Sequence, residues 1–388
     1  MRDVAIIGIG DTRFGELWDY SLRDIGMQAG ISAVNDAGIS GDQIEALFIG
    51  NMAAGSLIDQ EHLGALVSDY SGLAELHIPA VRIEAASASG GMALREGYMA
   101  VASGMHNIVM VAGAEKMTDV SDDQIPMIQM AGGDQQWEGL TGATMASLYA
   151  MMARRHMHEY GTTREQIASV AVKNHRNGAM NPMAQFQKEI SMDTVLNAPA
   201  VSEPLGVFDC SPVSDGSAAV ILAPLETARK MRADYVQIVT SMAATDTLAL
   251  QHRKEITRMD AVRFAASQAY RVAGVGPSEI DVAEVHDSFT IGEIMSIEDL
   301  GFFEKGKGGA ATLEGMTEIN GTVSVNTSGG LKARGDPMGA TGVAQAVEIV
   351  RQLRGKADRR QVTDAEYGLS LNSGGTGGTA VVHIYRRG

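Results

Sequence analysis

The chain has only one cysteine, Cys210, in 388 residues. A lone thiol excludes an internal disulfide and a cysteine-based metal site, and it fits a reducing compartment, so a cytoplasmic protein without a metal centre is expected. Long apolar runs are missing too. None approaches the roughly 20 residues that a membrane-spanning helix needs. Basic clusters are also absent: 31 Lys and Arg stand against 47 Asp and Glu, a net charge of −16. That balance argues against nucleic acid and anionic membrane as partners. The opening Met1-Arg2-Asp3-Val4-Ala5-Ile6-Ile7-Gly8 breaks too early for a signal peptide and reads as a first strand.

Glycine, by contrast, is abundant, with 45 residues marking places where backbone turns tightly or passes close to something. The composition, 45% hydrophobic and 20% charged, is that of a globular protein, and the length calls for two domains or a fused pair. The stretch that organises the rest is Ile83-Glu84-Ala85-Ala86-Ser87-Ala88-Ser89-Gly90-Gly91-Met92-Ala93-Leu94. A β-branched run from Pro79 enters it and a helical pattern to Ala102 leaves it, which places Ser87 at a helix N-terminus. Outward N–H groups and the helix dipole suit a nucleophile or an oxyanion there. The plainer alternative is a tight connection whose small residues let two backbones approach.

Short apolar runs alternate with helical patterns on both sides of this stretch. Val4–Ile9, Ile44–Ile49 and Asn107–Ala114 read as strands, and Ser21–Ala37 as a helix. From Met117 to about Pro204 the alternation stops. This Met- and Gln-rich segment, with a helix at Met145–Tyr160 and a capping box at Thr162-Thr163-Arg164-Glu165, reads as a subdomain covering a site. Its methionines either line an apolar tunnel or fill an irregular core. Alternation then resumes at Ala218–Ala223 and continues through Val236–Thr240, Asp260–Val272, Ile280–Val285 and on to Ala380–Tyr385. Ala37-Gly38-Ile39-Ser40-Gly41-Asp42-Gln43-Ile44 matches Ala273-Gly274-Val275-Gly276-Pro277-Ser278-Glu279-Ile280 at an offset of 236, and the order of elements repeats with it. A duplicated α/β unit with parallel sheet follows, and its site belongs where strand ends of both halves meet. The second half offers three such ends: His286-Asp287-Ser288-Phe289-Thr290, then Asn326-Thr327-Ser328-Gly329-Gly330 leading to Gly335-Asp336-Pro337-Met338-Gly339, and Leu371-Asn372-Ser373-Gly374-Gly375.

A duplicated α/β chain with these turns resembles the thiolase superfamily, most closely its sterol-carrier-protein-type and archaeal acetyl-CoA acetyltransferase branches. The likeness runs nearly end to end and includes Gly113-Ala114-Glu115-Lys116-Met117, Lys173-Asn174-His175, Asp209-Cys210-Ser211-Pro212-Val213-Ser214-Asp215-Gly216 and Asn326-Thr327-Ser328-Gly329-Gly330-Leu331-Lys332-Ala333. It implies two βαβαβαββ halves, residues 1–235 and 236–388, packed as a five-layered αβαβα core, with 117–204 as the inserted loop subdomain. It also implies a CoA thioester as substrate or ligand and no covalently bound cofactor. A homodimer or dimer of dimers is implied, with a small zinc-ribbon/OB-fold acyl-CoA-binding protein and a hydroxymethylglutaryl-CoA synthase as possible partners.

The resemblance maps the family's acylated cysteine onto Ser87, the histidine that activates it onto Asp336, and a terminal Cys or His acid/base onto Leu371. His286, which helps hold the thioester oxygen in this branch, is retained. A thiol is brought to thiolate by a helix N-terminus and a histidine, whereas a serine hydroxyl needs a positioned base, and aspartate is by itself a weak one. Ser87 is therefore a weak nucleophile, an oxyanion-side contact or a filler of the thiol's space. Cys210 lies in a different motif and is not expected to substitute. The segment Ser241, Met242 and Ala243 is assigned to the pantetheine arm by the same resemblance, and Asn372, Gly374 and Gly375 to thioester contacts. His156, His158 and His175 lie in the covering segment, where one is a candidate substrate contact.

Three functions are open from sequence. One is an acyl-CoA enzyme of the acetyl-CoA C-acetyltransferase class with weak or altered activity. Another is a non-catalytic CoA-binding or scaffolding subunit. The last is an aldolase acting on β-hydroxyacyl-CoA, with Asp336 as base and His286 polarising the thioester.

Overall fold

The computed structural model describes all 388 residues. The strands are β1 (Val4–Asp11), β2 (Ala46–Gly50), β3 (Ala80–Ile83), β4 (Val109–Glu115), β5 (Ala200–Ser202), β6 (Leu205–Gly206), β7 (Gly216–Pro224), β8 (Val236–Thr245), β9 (Val282–Glu284), β10 (Ser324–Val325), β11 (Tyr367–Gly374) and β12 (Thr379–Arg387). β5 and β6 pair with each other, and the other ten form one sheet in the order β10-β9-β11-β12-β8-β1-β7-β4-β2-β3. Read outward from its centre, the sheet runs β1-β7-β4-β2-β3 one way and β8-β12-β11-β9-β10 the other, so the two halves carry the same strand order. The sequence offset persists in three dimensions. β2 begins at Ala46 and β9 at Val282, and the helices before them end on Gly38 and Gly274, both left-handed, with φ of 66° and 72°.

The half-sheets meet where β1 pairs antiparallel with β8, Val4 opposite Ile238 and Ile6 opposite Val236. Two helices, Ser89–Ser103 and Thr341–Leu353, pack against strands of both halves and form the middle layer. Leu22–Ala37 lies on β1 and β7, and Asp260–Ala273 on β8 and β12, as the outer layers. β4 and β7 are buried along their whole length, which explains their unbroken apolar runs. The middle helices approach so closely that a Cβ on Gly342 would lie 2.2 Å from Gly91 N, and one on Gly90 would lie 2.8 Å from the Gly339 carbonyl. The plainer reading of the organising stretch therefore applies, since its glycines seat a helix crossing.

The segment from 117 to 204 folds as four helices, Ile125–Met130, Met145–Tyr160, Arg164–Ala179 and Met192–Leu196, with β5 and β6 beyond them. Met130 and Met152 fill the core shared with Ile291 and Ile294. The capping box lies one residue later than expected, at Thr163 and Gln166, because the Thr162 hydroxyl is engaged by His156 Nδ1 at 2.8 Å.

Candidate active site

β3 ends in the turn that carries Ser87. Ala86 takes a positive φ of 51°, and the Ser89 hydroxyl closes the turn by accepting from Ala85 N–H at 2.9 Å and donating to the Ala86 carbonyl at 2.5 Å. Ser87 is half-buried, and its hydroxyl takes part in none of these bonds. Its carbonyl accepts from Asn372 Nδ2 at 3.0 Å.

That amide begins a chain of hydrogen bonds whose directions can be assigned throughout. Gly91 N–H can only donate, and it meets Asn372 Oδ1 at 3.0 Å. The amide orientation is thereby set, and Nδ2 donates to the Ser87 carbonyl and to His286 Nδ1 at 3.2 Å. With Nδ1 accepting, the ring proton of neutral His286 sits on Nε2, 2.7 Å from Ser288 Oγ. Ser288 in turn donates to Asp336 Oδ2 at 3.1 Å. Burial pushes the His286 pKa down while Asp336 pulls it back up, and the neutral ring agrees with the bonding.

Asp336 is held in the turn after the helix Gly330–Arg334. Its carboxylate accepts from the hydroxyls of Ser211 at 3.1 Å and Thr341 at 2.9 Å as well as Ser288, and its N–H donates to Ser214 Oγ at 3.0 Å. Gly335 precedes it with φ 118°, where a Cβ would press on Ser214 Oγ at 2.8 Å.

These groups open onto a cavity of about 400 Å³ lined by Ser87, His286, Ser288 and Asp336 on one side and by Ile125, Pro126, Gln129, Met145 and Tyr149 of the covering segment on the other. Tyr149 stacks on Phe289 and donates its hydroxyl to the Gly375 carbonyl at 3.1 Å, tying the cover to the last glycine turn. Cys210 also lines the cavity, although sequence gave no reason to bring it there. Burial pushes its thiol up to about 12, with Asp209 adding and Lys332 opposing, so it stays protonated near neutrality.

Of the residues singled out from sequence, Ser87, His286, Asp336 and Gly375 come together on the cavity. Asn372 stands behind them as the link between Ser87 and His286. Gly374 packs where a Cβ would lie 2.5 Å from the Ala85 carbonyl. Leu371 points into the apolar core, and its carbonyl accepts from Gln345 at 2.9 Å. Ser241, Met242 and Ala243 sit on β8 opposite His383, Val382 and Val381 and do not line the cavity. His156 is bonded within the core to Glu298, His158 is exposed, and His175 stacks on Phe186. Ser288 and Ser211 join the site beyond the residues expected from sequence, and Ser288 lies two residues from His286 in the same strand-to-helix turn.

The sequence matches the thiolase N-terminal domain over residues 4–226 and the thiolase C-terminal domain-like family over residues 242–387. The chain belongs to the thiolase family. It is 55% identical to an acetyl-CoA acetyltransferase of Methanothermobacter thermautotrophicus, with both chains covered in full. It is 35% identical to sterol carrier protein 2 of Oryctolagus cuniculus, across 99% of this chain and 72% of that protein. Among solved structures, an Ltp2–ChsH2(DUF35) aldolase superposes with a TM-score of 0.85 at 28% identity, covering 98% of this chain and 97% of that one. Human mitochondrial 3-ketoacyl-CoA thiolase in complex with CoA gives 0.77 at 19% identity over 100% and 98%, a likeness of fold.

Proposed function

We propose that this thiolase-family chain handles acyl-CoA thioesters, within the acetyl-CoA C-acetyltransferase class of carbon–carbon condensation and cleavage, with its acyl-transfer step weakened. The observation that carries the reading is the meeting of Ser87, His286 and Asp336 on one 400 Å³ cavity roofed by the covering segment. The full-length relatives of that name support the class. The weakening follows from the site itself, because Ser87 Oγ has no hydrogen-bonded base and Cys210 is a neutral thiol.

A second reading is aldol cleavage of a β-hydroxyacyl-CoA. It needs no acyl-enzyme, and it is favoured by the hydrogen-bonded run from His286 through Ser288 to Asp336. The likeness to a thiolase-fold aldolase supports it. In either case a second copy of the chain is the expected partner, and β3 leaves one edge of the sheet open, with Val81 43% exposed. A separate small acyl-CoA-binding subunit is proposed on the resemblance to the Ltp2–ChsH2(DUF35) assembly.

The deciding assay is acetoacetyl-CoA cleavage by CoA in the purified protein, with Ser87→Ala, Ser87→Cys and the Ser87→Cys, Asp336→His double variant. Slow thiolysis lost in Ser87→Ala is the expected result for weakened acyl transfer. Silence in the unaltered protein with activity gained in the double variant would reject acyl transfer as its native chemistry. Silence throughout, with CoA still bound, would favour a binding subunit.

A further inference from the structure

Ser288 Oγ has one proton to give and two lone pairs to offer. Its proton goes to Asp336 Oδ2 at 3.1 Å, and one lone pair takes the Nε2–H of His286 at 2.7 Å. The second lone pair is unused, and Ser288 is half-buried on the cavity wall. His286 directs its only N–H at Ser288, and it is not placed to deprotonate Ser288, because Nδ1 accepts from Asn372 and Nε2 therefore carries the proton.

The geometry points to Ser288 as a proton-relay residue that takes the proton of a substrate hydroxyl and passes its own to Asp336, which selects a β-hydroxyacyl thioester over a β-ketoacyl one. This inference rests on the aldol reading given above. The free lone pair seeks a donor. A β-hydroxyl supplies one, whereas a β-keto oxygen only accepts and a C–H group donates too weakly to join the chain.

The step balances without any co-reactant. The β-hydroxyl O–H bond breaks and its proton moves to Ser288 Oγ as the Ser288 proton moves to Asp336. The electron pair left on the β-oxygen forms the new C=O. The Cα–Cβ bond breaks and its pair becomes the thioester enolate. The enolate then takes one proton at Cα, returning Asp336 to the carboxylate. No atom is oxidised by an outside agent.

The test uses the full-length protein with 3-hydroxy-3-methylbutanoyl-CoA, reading acetone and acetyl-CoA. Ser288→Ala should lower kcat about 100-fold, within the usual range for one acid–base group, with KM within threefold. Asp336→Asn should fall similarly, while Ser288→Thr, which keeps the hydroxyl, should retain most of the rate. In mixtures of H₂O and D₂O the unaltered protein should give a curved proton inventory from two protons in flight, and Ser288→Ala should not. Cleavage by the unaltered protein with full kcat in Ser288→Ala would overturn the relay and leave the aldol reading standing. Failure of the unaltered protein to cleave this thioester, with acetoacetyl-CoA thiolysis present, would overturn the aldol reading and the relay together.

Discussion

Asn372→Ala removes one side chain and strands three polar groups at once. Gly91 N–H loses its acceptor at 3.0 Å, the Ser87 carbonyl its donor at 3.0 Å, and His286 Nδ1 its donor at 3.2 Å. Asn372 is 1% exposed and His286 4%, so water does not readily replace the lost partners. A buried polar group left unpaired costs about 1–3 kcal/mol. Counting only the two buried groups, Gly91 N–H and His286 Nδ1, the loss is about 2–6 kcal/mol. Against a typical total of roughly 5–15 kcal/mol this is a large fraction. Urea unfolding should show a lower midpoint with an unchanged slope. Nitrogen-15 NMR of the histidines should show His286 passing from a pure Nε2–H form to a mixture of tautomers. A loss below about 1 kcal/mol with the tautomer unchanged would refute the claim that Asn372 fixes the imidazole.

Asp11 joins Arg334 and Arg351, the first of them 3% exposed, at the edge of the middle layer. Burial pushes its carboxyl up, but the two arginines outweigh it and hold it below the ordinary value. Its contribution is present above about pH 4 and is lost as pH falls through the lowered value. Asp11→Asn should destabilise by about 3–5 kcal/mol in urea at pH 7, because Arg334 is left buried without its partner, and an effect under 1 kcal/mol would contradict that. His383 is buried beside the Gly91 carbonyl, and burial lowers its pKa to about 3 against that weak opposing bond. Below about pH 6.5 the unfolded chain takes up a proton that the folded chain refuses, so stability falls with pH. Relative to His383→Gln, the unaltered protein should lose up to about 1.4 kcal/mol per pH unit between pH 6 and 4, and parallel stability curves would refute it.

Much of this architecture was legible because it repeats. The offset between Ile44 and Ile280 marks the same helix–glycine–strand junction in both halves, and local pattern determines such junctions. Ser87 and His286 were legible for a related reason, since each follows the end of a strand, β3 and β9, that runs parallel to its neighbours, and Asp336 was marked by the Gly335-Asp336-Pro337 turn. What local pattern could not supply were contacts between distant segments. Cys210 reaches the cavity because the loop after β6 pairs with Phe289, and Tyr149 reaches it from the covering helix. Leu371 and Asn372 show how strand alternation decides a role. The expected acid/base position faces the core, and its neighbour faces Ser87 and His286. Ser241 to Ala243 were assigned by resemblance alone, and their ladder with β12 keeps them off the cavity wall.

The turn around Ser87 keeps its strained form although its hydroxyl has no base. A non-glycine residue with φ 51°, as at Ala86, costs on the order of 1–3 kcal/mol and persists only when its surroundings require it. What the turn holds in place is the Ser87 carbonyl and, one helical turn on, the Gly91 N–H, the two groups that clasp the Asn372 amide. That clasp sets the proton on His286, and through Ser288 it sets the direction of bonding to Asp336. Backbone strain in the first half thus orients side chains from the second half, and it does so through main-chain atoms that do not depend on the residue at 87. Ser87→Ala should accordingly leave the His286 tautomer and any β-hydroxyacyl-CoA cleavage intact while abolishing acyl transfer. Loss of both activities in that variant would mean that the hydroxyl itself, and not the turn that carries it, is what the site uses.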